Sequence, residues 1–216
     1  MRATIEIYPI LAAVMWLAVP PAASMATLTI HVDDVVMLET QTTGFFDVWV
    51  EVEGVPPQVS GWDLELDVTP SGGGFSFTSI DAPTAPHPYV FSGNDPPYAD
   101  QVPFQISLTA ENLQAVDLLG FPQNPPPPPG TPSVPLHDGD GLLRVFFSRE
   151  LDSQRLFNIS IDMSNTNITD DTEPDAQVIP YQVKNGTVRV VPEPAAALLV
   201  PLGLAALWVK MGRRRA

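Results

Sequence analysis

Phe46-Asp47-Val48-Trp49-Val50-Glu51-Val52-Glu53 is the stretch that decides the fold. In an extended chain successive side chains point to opposite faces, so Phe46, Val48, Val50 and Val52 share one dry face. A helix would scatter the same residues around its circumference. The pattern repeats in Trp62-Asp63-Leu64-Glu65-Leu66-Asp67-Val68, with the carboxylates on the wet side. Alternation of this kind marks strands with one face packed and one solvated, the usual state of an antiparallel sheet.

Working outward, the same period of two recurs along the chain. It is carried by Leu28-Thr-Ile30-His-Val32, Phe75-Ser-Phe77-Thr-Ser-Ile80, Phe104-Gln-Ile106-Ser-Leu108 and Leu143-Arg-Val145-Phe146-Phe147. Phe157-Asn-Ile159-Ser-Ile161, Gln177 to Val183 and Thr187-Val188-Arg189-Val190 complete about nine short strands. Gly, Pro and Asp turns separate them, and Asn185-Gly186 reads as a tight hairpin turn. Only Ala110 to Leu119 offers a turn or two of helix. The expectation is an all-β, antiparallel sandwich, jelly-roll or immunoglobulin-like. Its predicted core aromatics are Phe45, Phe46, Trp49, Trp62, Phe75, Phe77, Phe146 and Phe147. Pro122 to Pro135, with five consecutive prolines, predicts a polyproline loop, and Ala82 to Pro103 a long loop around an edge strand at Tyr89-Val90-Phe91.

The chain has 216 residues, no cysteine, and 25 acidic against 10 basic residues. Disulfides and thiolate chemistry are thereby excluded, and the domain must rely on its core. Between Thr27 and Val191 the cations are Arg144, Arg149, Arg155, Lys184 and Arg189. Setting aside Glu6 and Glu193 leaves 23 carboxylates there, a net charge of −18. Such a surface repels phosphate backbones, which argues against nucleic acid as a partner.

Both ends read as targeting segments. Arg2, the apolar run Ile10 to Val19, Pro20-Pro21 and small residues form a secretory signal peptide over 1–26. Ser24-Met25-Ala26 places cleavage after Ala26, with Ser24 as the alternative. At the other end Pro192-Glu193-Pro194 breaks the last strand, and Ala195 to Val209 is an uncharged apolar stretch followed by Lys210 and Arg213-Arg214-Arg215. At 15 residues it falls short of the roughly 20 that span hydrocarbon, a mismatch that tilt, thinning and a snorkelling Lys210 can absorb. The basic cluster puts the arginines in the cytoplasm and the body outside.

Val191-Pro-Glu-Pro, a short apolar helix and terminal arginines resemble the PEP-CTERM sorting signal of Gram-negative and related bacteria. The resemblance implies that Pro192, Glu193 and Pro194 are recognised by an exosortase, that 195–209 is the transmembrane helix, and that Lys210 and Arg213 to Arg215 serve membrane retention. It also implies a surface or biofilm-matrix role beside exopolysaccharide. In the body, Gly44-Phe-Phe-Asp-Val-Trp-Val50, Val59 to Val68 and Asp140-Gly-Leu-Leu-Arg-Val-Phe-Phe147 resemble the strand pattern of cohesin-like domains, relatives of carbohydrate-binding modules. That resemblance implies a nine-stranded jelly-roll that binds a dockerin module or a glycan.

Chemistry-bearing constellations are sparse. His137-Asp138-Gly139-Asp140-Gly141 brings two carboxylates into a tight turn, which suits calcium, yet lacks the remaining ligand positions of an EF-hand. A plain turn before the strand at Leu142 explains Asp138 and Asp140 equally well. Asp170-Asp171-Thr172-Glu173-Pro174-Asp175 reads as a solvated acidic loop. His31, His87 and His137 have no metal-ligand spacing, and no nucleophile motif is present, so no catalytic residue and no cofactor beyond calcium is expected.

Overall fold

The computed structural model describes residues 26–92, 103–119, 133–170 and 177–193. The signal segment up to residue 25, the greater part of the proline loop (120–132), the acidic run 171–176 and everything from Pro194 onward lie outside the described residues. So do the transmembrane segment 195–209, Lys210 and Arg213 to Arg215.

Among the described residues every regular element is a strand. In chain order they are β1 Thr27–Val32, β2 Val35–Leu38, β3 Thr43–Glu53, β4 Gln58–Val59, β5 Gly61–Thr69, β6 Phe75–Asp81 and β7 Phe104–Leu108. There follow β8 Asn112–Leu118, β9 Val134–Pro135, β10 Gly141–Arg149, β11 Leu156–Ile161, β12 Asn167–Thr169, β13 Tyr181–Lys184 and β14 Gly186–Val191. One sheet runs β13-β1-β3-β10-β6 and the other β2-β14-β11-β5-β8-β7, with β12 also on β5; β4 and β9 form a small separate pair. All pairings are antiparallel except β1 with β13 and β2 with β14.

The dry faces anticipated from alternation meet between the sheets. Phe46, Val48 and Val50 of β3 and Trp62, Leu64, Leu66 and Val68 of β5 are all buried. Phe75, Phe77, Phe147 and Phe157 pack ring to ring beneath them, with centroids between 4.9 and 5.4 Å for the three pairs that include Phe75. Burying such side chains contributes roughly 1.5–3 kcal/mol each, the main force holding the layers together.

Several expectations are corrected. Phe45, Trp49 and Phe146 fall on the outer face, because the period that buries Phe46 and Phe147 turns their neighbours outward. Residues 112–118 are the strand β8, with no helical turn. Thr109 closes the turn before it, its Oγ1 accepting from Glu111 N and Asn112 N, and cross-strand pairing to β5 overrides the local helix preference. A bulge between Gln105 and Ser107 leaves Phe104 66 % and Ile106 51 % exposed. Tyr89, Val90 and Phe91 are a buried plug, touching β10 through a single bridge from Tyr89 to Gly141, and form no edge strand.

Asn185-Gly186 is not a hairpin turn. β13 lies in one sheet and β14 in the other, so the chain switches layers there. β1 and β2 switch at the same level through Asp33-Asp34. The two crossings touch: a Cβ on Gly186 would lie 2.5 Å from Asp33 O and 2.7 Å from Val32 O. Asp34 Oδ1 accepts from Thr187 N (2.8 Å) and Oγ1 (2.6 Å), and Asn185 Oδ1 accepts from Ile161 N (3.1 Å). Glycine is required because backbone meets backbone.

Candidate binding face

The outer face of the five-stranded sheet carries the side chains that alternation turns away from the core. Register places His31 of β1 beside Trp49 of β3 and Trp49 beside Gly141 of β10. With no side chain at Gly141, residues 83–88 lie directly on the sheet. A Cβ there would meet His87 O and Pro83 Cγ, each at 2.5 Å. His87 stacks on one face of Trp49 (4.4 Å, 7°) and His31 on the other (4.2 Å, 16°). Trp49 Nε1 donates to Asp33, and His31 Nε2 pairs with Glu51 at 2.8 Å. The stack is closed on both sides and pins the 82–91 segment across the end of the sheet nearest Glu53.

The other end of the same face stays open. Asp47, buried although it belongs to the wet side of β3, takes Arg144 in a two-pronged pair, both N–O distances 2.7 Å. That hydrogen bond is the main reason the guanidinium is held above its ordinary pKa, with burial opposing it. Arg144 lies 4.4 Å over the ring of Phe45, which is 48 % exposed, and Phe146 sits beside it at 6.0 Å. Where β1 leaves β3, a groove of about 650 Å³ opens against this pair, lined by Val35, Val36, Met37, Thr43, Phe45 and Phe146 among others. Arg144 itself is held by Asp47 and by Thr84 Oγ1 and does not line the groove, whose apolar Val35, Val36, Met37, Phe45 and Phe146 stand beside polar Gln41, Thr43, Thr78 and Ser79. Such a mixed surface suits a protein or peptide presenting aliphatic side chains and hydrogen-bonding groups.

The turn weighed for calcium holds its two carboxylates on main-chain N–H groups. Gly139 has a φ of +85°, Asp138 Oδ1 accepts from Val52 N (3.3 Å), and Asp140 Oδ2 accepts from His137 N (2.7 Å). Burial raises the Asp140 carboxyl above its usual range, opposed by that backbone hydrogen bond. Asp138 is thus engaged with the backbone at the end of β3 and Asp140 with that of its own turn, and among the described residues no three ligating groups converge. Of the sorting motif, Pro192 and Glu193 are described, and the Glu193 carboxylate accepts from Thr40 Oγ1 at 2.5 Å. Ala26 begins the described chain just before β1.

Two buried polar centres escaped the sequence reading. Tyr89 donates to the inward-facing carboxylate of Asp117, whose other oxygen accepts from Leu118 N at 2.8 Å. Burial pushes both the Tyr89 phenol and the Asp117 carboxyl upward, and the Asp117 charge adds to the effect on Tyr89. The Trp62 indole N–H, on the strand pairing with Asp117, is turned to the same Tyr89 hydroxyl and opposes the upward shift of the phenol. The second centre is Arg149, buried at the end of β10. It donates through Nε to Gln41 O (2.9 Å), through Nη1 to Glu150 O (3.0 Å) and Ser153 Oγ (3.2 Å), and through Nη2 to Glu39 O. Asp117 falls in the stretch that reads as a turn or two of helix and Arg149 at the end of a strand, and only long-range placement reveals their polar partners.

The chain matches no protein-family model and no curated protein. Among solved structures it is similar to a chain of the CaDoc0917–CaCohA2 complex at TM-score 0.55 and 13 % identity, covering 76 % of this chain and all of that one. The solution structure of CaCohA2 from Clostridium acetobutylicum gives TM-score 0.52 at 13 % identity, over 76 % and 91 % of the two chains. The sixth cohesin of Acetivibrio cellulolyticus scaffoldin B, solved with a Cel5 dockerin, gives 0.53 at 12 %, over 76 % and 99 %. The body therefore has the β-sandwich fold of cohesin modules.

Proposed function

We propose that this protein is a non-catalytic binding module of cohesin type, exported and held at the cell surface, whose partner is a dockerin-like protein module. The observation that carries the reading is the open groove at Phe45 and Phe146 on a sandwich that spans whole cohesin modules. The partner chemistry follows from the groove: apolar contact with Phe45 and Phe146, and hydrogen bonds with Gln41, Thr43, Thr78 and Ser79. Glycan binding is less well supported, because Trp49, the tryptophan of this face, has both ring faces occupied by histidine.

Delivery rests on the ends. The segment 1–26 exports the chain, 195–209 anchors it, and Pro192-Glu193-Pro194 presents it to an exosortase. In a host with an active exosortase, replacing the three residues by alanine should leave a larger, membrane-retained product. Unaltered processing would remove this part of the reading. For binding, the full chain in nanodiscs is titrated with a panel of dockerin modules and with soluble polysaccharides. Saturable dockerin binding that Phe45→Ala weakens tenfold or more, a loss of about 1.4 kcal/mol, supports the proposal. Binding of polysaccharide alone overturns it in favour of a matrix-associated glycan binder.

A further inference from the structure

The chain leaves the sandwich at a well-defined pole. Val191 closes β14 beside Leu38, Glu39 N donates to Val191 O (3.0 Å), and Glu193 is held by Thr40. The turn 150–155 belongs to the same pole, because Arg149 ties it to residues 39–41. Three leucines are exposed there on separate elements: Leu38 at the end of β2, Leu151 in the turn (59 %), and Leu156 at the start of β11. Arg155 and Arg189 lie among them: Arg155 pairs with Glu39, and Arg189 is the register partner of both Leu156 and Val36. With the buried Arg149, three of the five cations between Thr27 and Val191 lie at this pole, beside the carboxylates Glu39, Glu150, Asp152 and Glu193.

Glu193 stands two residues before Ala195, where the uncharged apolar stretch begins. Two residues reach at most about 7 Å. We infer that the exit pole rests on the lipid bilayer that receives the tail, with Leu38, Leu151 and Leu156 entering the headgroup boundary and Arg155 and Arg189 reaching lipid phosphates. The inference rests on the reading of 195–209 as a membrane anchor. Given that anchor, the short tether leaves no room for the pole to stand clear of a headgroup layer. Side chains in such interfacial contacts sit about 5–10 Å into the boundary, and arginine stems lie along it with their heads in the polar layer. Phe45 and Phe146 stay on the lateral face, beside the contact.

The chain has no cysteine, so single cysteines can be introduced cleanly. The full chain carrying Leu151→Cys, Leu156→Cys or, at the far pole, the exposed Val55→Cys is labelled with a fluorophore and reconstituted in phosphatidylethanolamine–phosphatidylglycerol vesicles containing brominated lipid. Flotation reports the anchor, and quenching reports the contact. Co-flotation with strong quenching at 151 and 156 but none at 55 is the expected result. Co-flotation without quenching at 151 and 156 overturns the contact while leaving the anchor standing. Failure to float removes the anchor and, with it, the inference. Leu151→Asp combined with Leu156→Asp should abolish quenching at a cysteine replacing Leu38 without releasing the chain from the vesicles; undiminished quenching there also counts against the contact.

Discussion

Replacing Arg149 with methionine should cost about 3 kcal/mol of folding free energy. The guanidinium is buried and donates closely to the main-chain carbonyls of Gln41, Glu150 and Glu39 and to the Ser153 hydroxyl, with Leu38 O and Leu151 O farther off at 3.5 Å. Hydrogen bonds from a charged donor contribute about 1.5–3 kcal/mol each, and a buried acceptor left alone costs about 1–3 kcal/mol. Against this, methionine removes the several kcal/mol spent on desolvating a buried charge. The turn carbonyls can also rotate partly toward water, which brings the net loss to about 3 kcal/mol. For a domain of this size each kcal/mol moves the melting temperature by about 2–4 °C, so the drop should be about 6–12 °C. Thermal and urea unfolding of the wild-type and variant chains provide the assay, with Leu151→Ser as an exposed neighbour expected to change little. A loss below about 1 kcal/mol would show that the carbonyls find other partners and that Arg149 does not tie the exit turns together.

Other substitutions test the remaining features. Gly141→Ala drives a Cβ to 2.5 Å from His87 O and Pro83, so it should cost about 1–3 kcal/mol and raise hydrogen exchange across 83–91; wild-type exchange there would refute the close-approach argument. Gly186→Ala meets two backbone oxygens that cannot move aside, and should destabilise the chain at least as much in urea unfolding. Burial raises the Asp117 carboxyl, so the folded chain holds that proton more tightly than the unfolded one. Its stabilisation is complete below the unfolded pKa and lost as pH climbs through the folded value, so Asp117→Asn should gain on wild type between acid and neutral pH; a gap independent of pH would refute this. Calcium should leave the melting temperature unchanged, because Asp138 and Asp140 already accept from Val52 N and His137 N. A rise with calcium but not magnesium would establish a site there.

The layers of this fold were legible because alternation is a local signal. Val48 and Val50 are dry for the same reason that Asp47 and Trp49 are not on the core side. What alternation cannot carry is partnership across the sheet. Asn185-Gly186 has the composition of a hairpin turn, but its glycine answers to the backbone of Asp33, some 150 residues away in sequence. Residues 112–118 contain helix formers, yet β5 recruits them as a strand. The candidate face shows the same division. Phe45 and Phe146 were visible as aromatics, but their outward placement depends on which neighbour is buried. Arg144 was one of five cations until the fold set it between Asp47 and Phe45.

The double layer switch has a mechanical consequence. β1 begins beside Glu53 and β14 ends beside Leu38, so the chain enters at one pole and leaves at the other along strands that point the same way. A pull applied between Thr27 and Val191 would run lengthwise through β14. That strand is clasped by β2 on one edge and β11 on the other. Its ladder would then be sheared, with many hydrogen bonds sharing the load at once instead of opening in succession. Such a geometry resists a lengthwise pull more strongly than a ladder that opens one bond at a time.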